Sequence, residues 1–379
     1  MTGHTQRLKI THFASGDIWA GAEKQLYTLV KCLGKDNTLD IEAVLMNEGE
    51  LADKLRDLGI PVTVFDESRH NGMALFWKIL NYLRSTHPDV VHTHGHKENF
   101  LVSIANSLSA RARNVRTVHG APEHDYSGFH RLHKRLLAWL DVWTGNHLCD
   151  RVVAVTEELK DKLMSRYRAD KLTVIVNGID IEDKTEYRIE LDFRKNMPDK
   201  RHIGIAGRLV PVKRVDIFLE TAKLLLDKSP DSYHFHVFGD GPLMTELKTQ
   251  ANQLGITNHV TFHGHRQDMD TCLANLDLLM MCSDHEGMPM VALEAIAAGT
   301  PVMAHAVGGL KSLLAIYSES LLNNDNNLQI YFEKIEKLQH KELDEIAKIL
   351  KFSLLENFSS HQNQVDYKYI YNCISRINN

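Results

Sequence analysis

Three short stretches of the chain carry residue types and spacings suited to holding a diphosphate beside a set of hydroxyls. The first is Gly207-Arg208, with Lys213 five positions after the arginine. An arginine grips phosphate with a planar fork, and a lysine supplies a compact point charge. Two solvated surface cations would read the same way. The second is Gly239-Asp240-Gly241-Pro242. Its glycines would let backbone approach a ligand closely, and Pro242 suits the first position of a helix. A plain turn carries the same residues. The third is Ser283-Asp284-His285-Glu286-Gly287-Met288-Pro289, with Glu294 eight residues beyond Glu286. Pro289 falls where a helix would begin, so the amides there and the positive end of the helix dipole would form an anion site. Both carboxylates can accept paired sugar or ribose hydroxyls at different depths. Glu294 is a lone charge among Val291, Ala292, Leu293, Ala295 and Ile296, a costly thing to bury without a partner.

The first half of the chain offers histidines and a basic helix. His92, His94 and His96 alternate along Val90–His96. One face of an extended segment could present all three to a metal ion, although no acidic partner motif accompanies them. Alternatively His94 stands at a strand end beside a second substrate, or is a structural histidine there. Arg131–Leu148 places Arg131, His133, Lys134 and Arg135 ahead of Leu136, Leu137, Trp139, Leu140 and Trp143. Such a stretch can dock on anionic lipid, or be a core helix with a solvated basic end.

These residues need a frame, and short β-type runs alternating with longer helical patterns supply one. Strands are expected at Leu8–Phe13, Ile41–Met46, Pro61–Phe65, Asp89–Thr93, Val115–His119, Val152–Thr156 and Leu172–Val176. Helical stretches such as Ala22–Leu33, Ala74–Ser85 and Arg131–Leu148 lie between them. The charged run Glu182–Lys200, with Pro198, reads as a linker or surface loop. The alternation then restarts. Strands are expected at His202–Ala206, Tyr233–Phe238, His259–Phe262, Leu278–Met281 and Pro301–Ala304, with helices at Val215–Lys228, Pro242–Leu254, Met269–Asn275 and Met290–Ala298. Glu333–Ile377 reads as helical. The fold class is therefore α/β, with two Rossmann-like domains facing a central cleft: residues 1–185, residues 200–355, and a C-terminal helix at 356–379 packing back towards the first domain.

Composition narrows the function classes. A chain of 379 residues fits two domains, and 43% hydrophobic with 25% charged residues is ordinary for a soluble globular protein. A net charge of −5 argues against nucleic-acid binding. The five cysteines are scattered, with no CxxC pair, which indicates neither a disulfide framework nor a zinc site. No signal peptide or apolar stretch of spanning length is evident, so a cytoplasmic placement is expected.

Taken in order, Gly207-Arg208 with Lys213, Gly239-Asp240-Gly241-Pro242, Glu286-Gly287-Met288-Pro289 with Glu294, and Gly308-Gly309 resemble the retaining glycosyltransferases often called group 1 or family 4, whose fold is named GT-B. In the first domain Gly21-Ala22-Glu23, Val90–Gly95 and Thr117–Gly120 extend the resemblance. It implies transfer of a sugar from a UDP- or GDP-sugar to a glycan or lipid-linked acceptor, as in cell-surface polysaccharide, lipopolysaccharide or glycolipid synthesis, with no cofactor and no metal. Arg208 and Lys213 would stabilise the departing diphosphate, Glu286 would hold the donor sugar, and Glu294 the ribose. Gly207, Gly239, Asp240, Gly241 and the backbone of Gly287, Met288, Pro289 and Met290 would complete the donor site. Gly21 would let backbone approach the donor, His119 would stand beside the sugar and the departing phosphate, and His94 would face the acceptor. Peripheral contact with the inner face of the membrane would suit a lipid-linked acceptor. Leu310-Lys311-Ser312 departs from the acidic residue the family usually carries after Gly308-Gly309, and the polar Ile316–Asn327 replaces its Gly-rich loop and strand. A sugar-nucleotide epimerase of the same fold and a non-catalytic sugar-nucleotide binder remain as alternatives.

Overall fold

A computed structural model describes residues 7–120, 130–181 and 191–375. Its contacts divide the chain into two compact units, Met1–Gly178 with Ser360–Asn379, and Ile179–Ser359.

The first unit alternates β1 (Leu8–Ala14), α1 (Gly21–Leu33), β2 (Leu39–Leu45), α2 (Glu50–Asp57), β3 (Val62–Val64), α3 (Gly72–Thr86), β4 (Val90–Thr93), α4 (His96–Ser107), β5 (Arg113–Val118), α5 (His130–His147), β6 (Arg151–Ala154), α6 (Glu157–Leu163) and β7 (Leu172–Val174). All strand pairs are parallel, in the order β3-β2-β1-β4-β5-β6-β7. Parallel strands covered on both faces read as near-continuous apolar runs, and β1, β4 and β5 are buried along most of their length. Two apolar clusters flank the sheet, one around Ile10, Leu29 and Leu45, the other around Phe13, Ile79 and Val102. Asn71 and Thr156 cap α3 and α6 by accepting from Ala74 N and Leu159 N.

The second unit contains α7 (Asp192–Asn196), β8 (Arg201–Ala206), α8 (Val215–Lys228), β9 (Tyr233–Phe238), α9 (Met244–Gln253), β10 (Val260–Gly264), α10 (Met269–Ala274), β11 (Leu278–Met281), α11 (Met290–Ala298), β12 (Val302–His305), α12 (Leu310–Leu313), α13 (Ser318–Leu321), β13 (Leu322–Asn323), α14 (Leu328–Lys337) and α15 (His340–Asn357). Its sheet is again parallel, ordered β10-β9-β8-β11-β12-β13. Two local expectations are corrected. The segment read as linker or loop contains α7, pinned where Arg194 forks onto Asp277 at 2.7 and 2.8 Å. The polar run expected to lack a strand holds β13, whose Leu322 and Asn323 pair with Ala304 and His305. Two residues are too few to show a period, so tertiary pairing decides their state.

The last helix, α16 (Ser360–Ser375), returns to the first unit and lies along α1. Asn363 accepts from Gln25 Nε2 at 3.1 Å and donates to Val176 O at 2.6 Å. Its Tyr367 and Tyr371 are fully buried, with hydroxyls 2.9 Å from Thr117 Oγ1 and 2.7 Å from His92 Nδ1. Removing a buried aromatic ring costs about 3–5 kcal/mol. Tyr371→Ala is therefore expected to lower the unfolding free energy of the first unit by that amount, seen as a lower urea midpoint with a fluorescence probe placed there. An unchanged midpoint would mean that α16 is only loosely attached.

Candidate functional site

In an open parallel sheet, ligands sit beyond the carboxyl ends of the strands where strand order reverses. The second sheet reverses between β8 and β11, the first between β1 and β4. The singled-out residues collect at these two places.

In the second unit β8 ends in Gly207, whose φ of +148° only glycine adopts readily. Arg208 then stands exposed, and Lys213 folds its stem back over Gly207. The Lys213 ammonium donates to Glu286 Oε1 at 2.6 Å, so residues 73 apart in sequence meet as a part-buried ion pair. A recess lined by Gly207, Arg208, Lys213, Phe238, Met281 and Ser283 lies beside them. Asp240 is exposed in the turn after β9, flanked by Gly239 and Gly241. The close approach these two glycines allow is to the chain itself. A Cβ at Gly239 would lie 2.0 Å from Gly207 O, and one at Gly241 would lie 2.5 Å from Leu209 O. Asp284 N donates to Val212 O at 2.8 Å, which ties the third loop to the first.

Helix α11 begins at Met290, with Pro289 as its N-cap. Its ladder starts with Ala292 N donating to Pro289 O at 3.1 Å, so the amides of Gly287, Met288 and Met290 precede it. Met288, Pro289 and Met290 are buried, and Glu294 is only 6% exposed within the helix. Gly308 and Gly309 rest against the same loop: Gly309 N donates to Gly287 O at 2.7 Å, and a Cβ at Gly308 would lie 2.1 Å from Glu286 O.

In the first unit Gly21 is the exposed first residue of α1, and Glu23 lies in that helix's first turn. Burial raises the Glu23 carboxyl above the usual range, with Asp17 adding to it. The three alternating histidines separate. His96 begins α4 and places Nδ1 2.6 Å from Asp141 Oδ2. Asp141 also accepts from Arg116 Nε at 3.2 Å and Asn99 Nδ2 at 2.8 Å. Burial alone would raise its carboxyl, but Arg116 and His96 hold it down to about 2. His92 and His94 are joined instead by His12, which lies opposite His92 in the β1–β4 register. Ligand nitrogens of His12, His92 and His94 come within 4.8 Å of one another, a spacing that could hold a metal ion. Both nitrogens of His92, however, are bonded at 2.7 Å, to Tyr371 Oη and Thr117 Oγ1. His94 bridges His12 and His119 at 3.1 Å each, and His119 follows β5 with its ring partly exposed.

Sequence reasoning missed His12, Arg116 and Asp141, together with a second group of rings, His202, His234, His236 and His263. The signal for His12 was available, because β1 and β4 are neighbours in any doubly wound sheet of this order. Arg131, His133, Lys134 and Arg135 have side chains outside the described residues. Further along the same helix Leu136, Trp139 and Trp143 are 52%, 60% and 40% exposed. No helix among the described residues is long and apolar enough to cross a membrane.

Two family models match the chain: "Glycosyltransferase Family 4" over residues 19–183 and "Glycosyl transferases group 1" over residues 188–351. The chain is 25% identical over 367 residues to the UDP-Gal:alpha-D-GlcNAc-diphosphoundecaprenol alpha-1,3-galactosyltransferase of Escherichia coli, covering 93% of this chain and 94% of that one. It is 28% identical over 302 residues to a putative teichuronic acid biosynthesis glycosyltransferase, TuaC, of Bacillus subtilis, covering 77% and 72%. Among solved structures, Anabaena Alr3699/HepE in complex with UDP-glucose matches with a TM-score of 0.83 and 22% identity, covering 97% of this chain and all of that one.

The buried imidazoles set a pH dependence. Burial lowers His12 to about 3, and burial with Arg116 lowers His119 to about 3. His92 and His94 fall well below 6.5, through burial first, then neighbouring imidazoles and Arg116. Unfolded, each would return to about 6.5. Below that pH the unfolded chain binds protons that the folded chain refuses. Stability is therefore full above about pH 6.5 and falls as pH drops towards 3, by up to about 1.4 kcal/mol per pH unit for each ring. Urea unfolding between about pH 7.5 and 4.5 is expected to show this slope, reduced by about one proton in His12→Gln. An equal slope in that variant would mean that His12 is already protonated in the folded chain.

Proposed function

The chain belongs to the group 1/family 4 glycosyltransferases, and from that premise we propose that it moves a sugar from a nucleotide-diphosphate sugar to an acceptor hydroxyl with retention of anomeric configuration. The observation that carries this reading is the meeting of Lys213, Glu286 and the start of α11 where the second sheet reverses its strand order. The names of the relatives favour a UDP-sugar donor and a lipid-linked or polymeric acceptor of a cell-surface glycan pathway.

In this reading the diphosphate lies against the amides of Gly287, Met288 and Met290, with Pro289 setting the start of the helix. Gly207, Gly239, Asp240 and Gly241 form the adjoining wall, and Glu294 accepts from the ribose. Lys213 turns from Glu286 to the phosphates as the donor enters, which frees the Glu286 carboxylate for the sugar hydroxyls. The bond between C1 and the leaving phosphate oxygen breaks, and the acceptor oxygen bonds to C1 on the same face. The acceptor's proton passes to the departing phosphate. Arg208 and Lys213 stabilise the charge that grows on the diphosphate, as preorganised electrostatic catalysis requires. Gly21 and His119 are assigned to the sugar and phosphate, and His94 to the acceptor side through His119.

Incubation with UDP- and GDP-sugars, with and without a lipid-linked acceptor, tests the reading. Nucleotide release that depends on acceptor, with an α-linked product from an α-linked donor, is expected. An inverted product, or conversion of the donor without acceptor, would sink it. Glu286→Ala is expected nearly to abolish turnover, while Glu294→Ala chiefly raises KM. Arg208→Ala and Lys213→Ala should each lose at least about 100-fold in kcat/KM, roughly 2.7 kcal/mol. Wild-type rates in these variants would return the residues to ordinary surface roles.

The exposed Leu136, Trp139 and Trp143 of α5, beside Arg131, Lys134 and Arg135, support docking on anionic lipid. Each cation near such a surface contributes about 1 kcal/mol, so three change partitioning by roughly 100-fold at low salt. Co-sedimentation with phosphatidylglycerol vesicles should drop by that factor when all three become Ala, and in wild type as salt rises. Equal binding by both proteins would leave α5 a helix with a solvated end.

A further inference from the structure

Three imidazoles of the first unit form one hydrogen-bonded row. His12 Nδ1 lies 3.1 Å from His94 Nε2, and His94 Nδ1 lies 3.1 Å from His119 Nε2. The rings stack along the row with centroids 5.4 Å apart at each step. The two end atoms, His12 Nε2 and His119 Nδ1, are covered and have no hydrogen-bond partner among the described residues. The charged group acting on the row is Arg116, and the next ring is His92, held between Tyr371 and Thr117. Burial and these neighbours keep all three imidazoles neutral at neutral pH.

A neutral imidazole has one N–H and one bare nitrogen. Each link of the row needs one of each, so the three tautomers are tied together and only two arrangements exist. In the first, His12 Nδ1–H donates to His94, His94 Nδ1–H donates to His119, and His119 carries a free Nδ1–H. In the second every bond reverses, and the free N–H is at His12 Nε2. An unpaired buried N–H is costly. His12 is fully buried inside the sheet, where no ligand oxygen reaches it. His119 is partly exposed as a residue at the carboxyl end of β5, so an oxygen that reaches its covered Nδ1 from that end can satisfy the N–H. The ligand therefore selects the first arrangement.

We propose that His12 and His94 are positioning residues that make His119 an uncharged Nδ1–H donor to an oxygen of the bound sugar nucleotide. This rests on the placement of His119 beside the sugar and the leaving phosphate under the proposed function. The row moves no net proton during turnover. It fixes which nitrogen of His119 donates, and it does so from two residues that touch no substrate.

Long-range 15N–1H NMR of histidine-labelled protein reads the tautomers directly, with His119 assigned from the spectrum of His119→Gln. With UDP-glucose or UDP-galactose bound, His119 is expected as the Nδ1–H form. His94→Phe breaks the row and should return His119 to the Nε2–H form that an imidazole free in water prefers, with kcat/KM lowered about tenfold. His94→Gln can accept from His12 and donate to His119, so it should restore both the tautomer and the rate. Nε2–H at His119 in the donor-bound wild type would overturn the proposal, as would an unchanged tautomer in His94→Phe. One equivalent of zinc held by wild type and lost in His94→Gln would also overturn it, since a metal-bound nitrogen cannot serve as a link. If His94→Phe fails to fold, the wild-type spectrum and His94→Gln decide. Sugar transfer with the wrong tautomer would count against the row alone. The expected tautomer with UDP bound but no transfer would count against glycosyl transfer and for the row.

Discussion

Backbone rests on backbone at the edge of the second sheet, with no room for a single Cβ, and the rest of that site depends on this contact. The loop after β9 lies on the loop after β8 at Gly239 and Gly241, where an added Cβ would come within 2.0 and 2.5 Å of carbonyl oxygens. The loop after β12 lies on the loop after β11 at Gly308, 2.1 Å from Glu286 O by the same measure. Val212 O and Asp284 N join the two pairs. Four chain segments thus behave as one block, and the chemical side chains project from its margins. Lys213 can meet Glu286 at 2.6 Å only because neither carrier loop is free to drift. A side chain at any of these glycines would force the loops apart, and with them the carriers of Lys213 and Glu286.

That pairing also sets the electrostatics of the site. Lys213 and Glu286 are each mostly covered, and a lone charge there would lack the solvation it has in water. Paired, they cancel one another's charge, and Arg208 is the further charged residue lining the recess. Under the proposed function a diphosphate would compete for the lysine with more negative charge than one carboxylate carries, and release of the carboxylate would coincide with arrival of the hydroxyls it can accept. α11 carries its one carboxylate at depth: Glu294 is 6% exposed, and the rest of the helix is apolar.

Much of this was legible in the sequence, for identifiable reasons. β9, β11, α8 and α11 have the bounds read from periodicity, because apolar or amphipathic runs that stop at polar, Pro or Gly residues leave little ambiguity. The motif loops were legible as turns, and Glu294 as an anomaly in an apolar helix. The partners of those groups were not. Nothing local says that Lys213 bonds Glu286 across 73 residues, or that Gly241 faces Leu209 rather than open space. β13 escaped because two residues show no period, and α7 because a five-residue run with four charged or polar residues resembles a loop. Asp141 looked like one polar position in a helix judged by its tryptophans. Its bonds to Arg116, His96 and Asn99 come from two other elements, β5 and α4.

The two rows of histidines show what local chemistry adds to topology. In the second unit His202 Nδ1 lies 2.9 Å from His236 Nε2, and His236 Nδ1 lies 2.9 Å from His263 Nε2. This row is anchored, because His202 Nε2 lies 2.9 Å from Met197 O, and a carbonyl can only accept. His202 must therefore carry its proton on Nε2 and accept at Nδ1. His236 must donate from Nε2 and accept at Nδ1, and His263 must donate from Nε2. One backbone oxygen fixes three tautomers in a single direction, whatever binds nearby. The row of the first unit has the same links and, among the described residues, no such oxygen at either end. Its direction is left to whatever approaches His119. Three linked imidazoles are a fixed brace when an acceptor terminates them inside the fold, and a selectable donor when the terminating acceptor must come from outside.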